Sequence, residues 1–314
     1  MRLAVGIDVG GTKVAALRVD PEGRILDRST VPTPSGDSGT VMDALIEAAR
    51  PLVTPEVVAV GVGVAGLVDH ESGVLRFSPN LPFRAHPMAE EMRSRTGLPC
   101  VIDNDANAAA WAEYRFGASR GARHMLLVIV GTGIGGGIVF DGHLFRGAHG
   151  FAGEIGHVVV DPQGPLCGCG NRGCWEQMAS GQALERLGRR AVEEHPGSRL
   201  TLLSQGDPAN VDGSLVTRAA EEGDDIACDI VSRVGTVLGR GLAGLVNVMD
   251  PDILVVGGGV ATTGDLLLAP ARSAFAENVE AVGHRPETPI VQAQLGNDGG
   301  AIGAAVMALE EVDR

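Results

Sequence analysis

Between Glu154 and Glu176 the chain reads EIGHVVVDPQGPLCGCGNRGCWE, and His157, Cys167, Cys169 and Cys174 bring one imidazole and three of the five thiols within eighteen residues. A set of one nitrogen and three sulfurs suits tetrahedral Zn2+, and four protein donors leave no open position for a reactive water, so the implied metal is structural. Gly164, Pro165, Gly168, Gly170 and Gly173 deny the segment any hydrophobic periodicity, and a metal cross-link is what would order it. Ordering the loop also fixes Glu154, His157 and Glu176 near one another, two carboxylates and an imidazole suited to the hydroxyls of a polyol. Three unrelated core thiols are the alternative. The Cys-x-Cys-x4-Cys spacing among glycines argues against it.

A second chemistry is written in glycine turns. Asp8 ends an apolar run and is followed by Gly10, Gly11, Thr12 and Lys13, where backbone N–H groups can approach a phosphate and a carboxylate can hold hydrated Mg2+. Asp8 also fits a plain turn-initiating role. Lys13 is the only lysine among 25 basic residues, and its compact ammonium suits a phosphate. The pattern IDVGGTKVAAL returns as VIVGTGIGGGIVF, in which Gly131, Thr132 and Gly133 offer a second set of backbone donors; the pair reads as an internal duplication. Gly257, Gly258 and Gly259 follow another apolar run, where bare backbone would accept an adenosine or simply turn the chain.

The elements that must carry these groups follow from pattern. LAVGIDVG, VAALRVD and ILDRSTV predict three antiparallel strands, and Thr40 to Leu52 predicts a helix. Val57 to Asp69 predicts a buried central strand ending at Gly66, before a loop in which Asn80 either reaches a ligand or bonds its own backbone. Leu98 to Gly117 predicts a strand running into a helix with Asp103, Asn104 and Asp105 at the junction. Asp105 has two readings from position alone, an N-terminal cap or a base at the carboxyl end of a strand. Further helices are expected over 182–194, 214–221, 225–249 and 300–311, and strands over 125–140, 252–260 and near Ile290.

At 314 residues the chain has length for two α/β domains, and the net charge of −14 argues against nucleic acid or an anionic membrane surface as partner. No apolar stretch is long enough for a bilayer. The strand-like start and the absence of a disulfide framework lead us to expect a cytoplasmic protein. Aromatic residues make up 3% of the chain, so stacking platforms are scarce.

Taken together, DVGGTK at 8–13, DNDANAAAWAEY at 103–114, GTGIGGG at 131–137 and GEIGH followed by CGCGNRGCWEQ resemble the ROK family of sugar kinases and repressors over nearly the whole chain. The resemblance is nearest to the family's bacterial ATP-dependent glucokinases. It implies an α/β, two-lobed, ribonuclease-H-like ATPase fold of the actin and hexokinase superfamily, hinged over a cleft. Residues 1–108 with 298–314 would form a small lobe, and 109–297 a large lobe carrying the zinc loop 154–176. It further implies ATP, Mg2+ and structural Zn2+, with Asp105 as the general base that activates the glucose 6-hydroxyl. Gly66, Asn80, Asn104, Glu154, His157 and Glu176 would surround the sugar, and a homodimer or homotetramer is expected.

Two other classes compete. A sugar-sensing repressor of the same family would carry an N-terminal helix-turn-helix, which the early phosphate loop displaces; an actin-like structural ATPase does not account for the zinc loop. Among enzymes the alternative substrates are N-acetylmannosamine, N-acetylglucosamine and fructose. Family kinases for acylated sugars often place arginine after the pocket glycine, where this chain has Leu67, and that favours unsubstituted glucose.

Overall fold

Alternating and continuous apolar runs become strands, and the glycine and proline punctuation between them becomes turns, in a computed structural model that describes residues 2–313. The strands are β1 (Leu3–Val9), β2 (Lys13–Val19), β3 (Ile25–Pro32), β4 (Val57–Val64), β5 (Leu67–Asp69), β6 (Val74–Phe77), β7 (Arg84–His86), β8 (Cys100–Asn104), β9 (Met125–Val130), β10 (Ile134–Phe140), β11 (His143–Leu144), β12 (Ile253–Gly257) and β13 (Ile290–Gln292). The helices are α1 (Ser38–Ala49), α2 (Met88–Thr96), α3 (Asp105–Phe116), α4 (Trp175–Ala179), α5 (Gly181–Glu194), α6 (Arg199–Leu203), α7 (Gly213–Glu221), α8 (Asp225–Met249), α9 (Asp265–Asn278) and α10 (Gly299–Val312). The chain divides into two units. The first takes in the residues up to Arg123, Gly137–Gly153 and those from Gln294 onward; the second takes in His124–Gly136 and Glu154–Ala293.

In the first unit the sheet order is β3-β2-β1-β4-β8. The first three strands are antiparallel as expected, and β1, β4 and β8 are parallel, with Val9 beside Val64 and Val64 beside Asn104. Their carboxyl ends therefore share one edge of the sheet, the edge where open α/β sheets present ligand-binding groups. Alternate residues face opposite ways. Val5, Ile7 and Val9 join Leu45 of α1 and Met92 of α2 in one core, while Ala4 and Leu17 join Ala301, Ala305 and Leu309 of α10 in the other. Small residues let α10 lie directly on the strands. A Cβ at Gly6 would stand 1.8 Å from the Ala301 carbonyl oxygen, and one at Gly61 would stand 1.8 Å from that of Ala304.

The expected strand over 57–69 is interrupted. β4 stops at Val64, and Gly66, with φ +136°, turns the chain into β5. β5, β6 and β7 form a small antiparallel sheet that short, irregular patterning concealed.

In the second unit β12 lies between β9 and β13, parallel to both, and β10 is the other neighbour of β9. Gly257 pairs with Ile129, so the glycine turns that follow β9 and β12 leave from the same sheet edge. Ile230, Val234, Leu238, Leu242 and Val246 make the buried stripe of α8, which packs against α9 and also touches α4, α5 and α7. The distal part of β10 belongs to the first unit, where Val139 pairs with Leu144 of β11. A strand hairpin followed by two parallel strands thus occurs twice, as the sequence repeat implied.

Candidate active site and metal centre

The first unit brings Asp8, Gly10 to Lys13, Gly66, Asn104 and Asp105 to the carboxyl ends of β1, β4 and β8. Gly11, Thr12 and Lys13 are exposed, and the turn is closed by Gly10 N–H donating to the Lys13 carbonyl at 3.0 Å. Thr33 holds it from below, its Oγ1 donating to the Gly10 carbonyl at 2.7 Å. The Asp8 carboxyl lies against Gly300 at the start of α10, where a Cβ would come within 3.1 Å of Cγ. Burial, and then the charge of Asp105, push Asp8 up to about 7, while Lys13 pulls it down. A buried carboxylate whose ionisation a second carboxylate opposes, beside one ammonium, forms a place that a divalent cation would relieve.

Asp105 is not the cap of α3. That role falls to Asn104, whose Oδ1 accepts from the backbone N–H of Ala106 at 2.9 Å and of Asn107 at 3.2 Å, so Asp105 takes the first helical position. The Asn104 Nδ2 donates to the Gly66 carbonyl at 3.2 Å, joining the end of β8 to the turn after β4. The loop carrying Asn80 is tied to the same turn, because Ser78 Oγ donates to the Ala65 carbonyl at 2.7 Å; Asn80 itself is exposed. One oxygen of Asp105 accepts from Ala106 N–H at 3.0 Å, and Oδ2 has no hydrogen bond among the described residues. Burial raises the Asp105 pKa against the lowering effect of the Ala106 amide.

In the second unit, the ligand atoms of His157, Cys167, Cys169 and Cys174 all lie within 4.8 Å of one another. Cys167 Sγ is 3.6 Å from His157 Nδ1, and Cys169 Sγ is 3.6 Å from Cys174 Sγ. A tetrahedron with Zn–S near 2.3 Å and Zn–N near 2.0 Å has edges of about 3.5–3.8 Å, so the donor set fits the ion in kind, and these two pairs already stand at its spacing. Burial holds the Cys167 and Cys174 thiols above their ordinary range, whereas the backbone N–H of Asn171 draws Cys169 down. The far end of the loop is anchored by Trp175. Its ring is fully buried against Gly241, and Nε1 donates to the Val237 carbonyl at 3.2 Å.

The two glutamates bracket the imidazole. Glu176 Oε1 is 3.8 Å from His157 Nδ1 and accepts from Cys167 Sγ at 3.0 Å, and Glu154 Oε2 is 3.9 Å from Nε2. Glu176 also meets the glycine turn, since a Cβ at Gly133 would stand 2.4 Å from its Oε2. The carbonyls of Gly131 and Thr132 accept from the N–H groups of Gly181 and Gln182, and Ser180 Oγ donates to the Thr132 carbonyl at 2.9 Å. Gly258, with φ +91°, passes so close to the Val130 backbone that only glycine fits, which sets the Gly257–Gly259 turn beside the turn of Gly131 to Gly133.

Sequence reasoning named Asp103 only as part of a junction. It is 3% exposed and accepts from Asn104 N–H at 2.8 Å, Asn107 Nδ2 at 2.9 Å and Arg146 Nε at 2.7 Å; His70 Nδ1 lies 3.7 Å away. Arg146 and His70 carried no sequence signal, because only folding brings them to β8. A cavity of about 870 Å3 on the outer side of β8, lined in part by His70, Arg93, Cys100 and Arg146, holds none of the residues singled out from sequence.

The model of the ROK family matches residues 4–311. A glucokinase of Streptomyces coelicolor is 43% identical over 315 residues, covering 99% of this chain and 98% of that protein. An N-acetylmannosamine kinase of Citrobacter koseri is 37% identical, covering 97% of this chain and 98% of its own. Among solved structures, a ROK family glucokinase from Streptomyces griseus in complex with glucose and AMPPNP superposes with a TM-score of 0.90 at 41% identity, covering 98% of this chain and 99% of that one. Matched from residue 4 to residue 311, the α/β chain with its two lobes belongs to the ROK family.

Proposed function

We propose that this chain is an ATP-dependent glucokinase that transfers the γ-phosphoryl group of ATP to the 6-hydroxyl of glucose. The observation that carries the chemistry is Asp105: a partly buried carboxylate at the first turn of α3, raised in pKa, with one oxygen uncommitted and Asp8 and Lys13 on the same sheet edge. The likeness to glucokinases over nearly the full chain supports the choice of sugar and donor.

In this reading Asp105 accepts the hydroxyl proton as the sugar oxygen bonds to phosphorus and ADP leaves. Gly66, Asn80, Asn104, Glu154, His157 and Glu176 bind the sugar. Asn104 caps a helix with its oxygen and spends one amide hydrogen on Gly66, which leaves its second amide hydrogen for a hydroxyl. Gly10, Gly11, Thr12 and Lys13 and the turn of Gly131, Thr132 and Gly133 hold the phosphates, and Gly257, Gly258 and Gly259 line the adenosine. Mg2+ held near Asp8 would supply positive charge to the phosphate oxygens. Zn2+ on His157, Cys167, Cys169 and Cys174 would keep Glu154 and Glu176 in place beside the imidazole.

The test is ADP release measured with glucose, mannose, fructose, N-acetylmannosamine and N-acetylglucosamine. Glucose is expected to give the highest kcat/KM; preference for an N-acetylated sugar would refute the assignment. Asp105→Ala is expected to bind glucose with a loss in kcat of at least about 10²-fold.

A further inference from the structure

We infer that Asp103, held by Arg146, is a positioning residue that aims Asp105 during phosphoryl transfer, an inference that rests on the reading of Asp105 as the base. Residues 103 to 107 form a closed set of hydrogen bonds around the junction of β8 and α3. Asp103 Oδ1 accepts from Asn104 N–H and from Asn107 Nδ2, and Asn104 Oδ1 accepts from Ala106 and Asn107 N–H. The side chains on both sides of Asp105 are thereby spent on fixing the backbone that carries it.

Oδ2 of Asp103 supplies the outside anchor. It accepts from Arg146 Nε at 2.7 Å, and Arg146 belongs to the segment after β11. That segment is itself seated on β5, just past Gly66, because a Cβ at Gly150 would stand 2.3 Å from the Val68 carbonyl oxygen. Asp103 therefore links three pieces of the first unit, the end of β8, the start of α3 and the 145–150 segment, at the residue pair just before Asp105. A carboxylate that is 3% exposed is costly unless paired, and the ion pair with Arg146 meets that cost while fixing a direction.

The competing account is an ordinary structural ion pair, which would lower stability and leave turnover per folded molecule intact. The experiment measures kcat, glucose KM and thermal stability for Asp103→Asn, Arg146→Met, the double variant and Arg146→Lys, with Asp105→Ala as reference. Asp103→Asn removes the charge facing Arg146 and has one acceptor oxygen, which can serve Arg146 or the Asn104 and Asn107 donors but not both sides. We expect Asp103→Asn and Arg146→Met each to lower kcat about 10²-fold, the scale of a misplacement near 1 Å, with glucose KM little changed. The double variant is expected to be no slower than either single one, since both remove the same link. Arg146→Lys is expected to recover part of the loss. Should Asp103→Asn fail to fold, Arg146→Met on the partly exposed side carries the same comparison. Full kcat in folded Asp103→Asn or Arg146→Met, with Asp105→Ala inactive, overturns this inference alone. Retained turnover in Asp105→Ala overturns the base reading and this inference with it.

Discussion

A carboxylate works as a base for a sugar hydroxyl only when it is ionised, and burial sets the pH at which Asp105 gives up its proton. Its raised pKa means that the protonated, inactive form persists to higher pH than for an ordinary aspartate near 3.9, so activity fails earlier as acid is added. The pH profile of kcat/KM for glucose should show an acidic limb displaced above that value; a limb at or below it would contradict the assignment. Lys13 permits a separate check. Lys13→Met is expected to raise KM for ATP by about tenfold or more while leaving glucose affinity intact, as loss of a charged hydrogen bond to phosphate would do. Much of this was legible in the residues, since a lone lysine among 24 arginines and an imidazole among three thiols are chemically conspicuous. The division of labour between Asn104 and Asp105 was not. Both types make good caps, and the fold decides between them, because Asn104 Oδ1 takes the Ala106 and Asn107 amides and leaves Asp105 at the first helical position. The contact of Glu176 with Gly133 was equally hidden, because it joins positions far apart in sequence.

The glycine loop of residues 158–174 and α10 show opposite ways of fixing an element. The loop carries exposed Val158, Val159, Val160 and Leu166 and has few apolar residues turned inward, so its order should depend on the metal. Chelation is expected to raise glucose KM and to increase amide exchange over 158–174, with β1, β4 and β8 still protected; unaltered KM in metal-free protein would contradict the role given to the loop. α10 depends instead on close approach. Gly61→Ala would drive a methyl group into the Ala304 carbonyl, and a loss of about 1–3 kcal/mol or more is expected from the urea midpoint. The hairpins and α8 were readable because their apolar periods are long and their ends are punctuated. α2 escaped notice because only Met88, Ala89 and Met92 of its nine residues are buried, and α9 because Pro270 interrupts its pattern.

Across the whole chain, the repeated order of hairpin and parallel strands was visible as a repeat of glycine turns, whereas the small sheet of β5, β6 and β7 had no counterpart from which to infer it. Among the described residues no helix is long and apolar enough to cross a membrane, and the net charge of −14 opposes binding to nucleic acid. Protein titrated with duplex DNA at physiological salt is expected to show no saturable binding, while ADP release should depend on added glucose; sugar-sensitive DNA binding would move the chain to the repressor branch of its family.

The first unit is begun by β1 and completed by α10, which rests on β1 and β4 and borders the Asp8 carboxyl. On the ribosome, where the amino end emerges first, β1, β4 and β8 must wait with one flank bare until α10 has been made, although every segment of the second unit precedes that helix in the chain. A chain interrupted before Gly299 would therefore lack α10 and leave the strands it covers, made long before, exposed to chaperones and proteases.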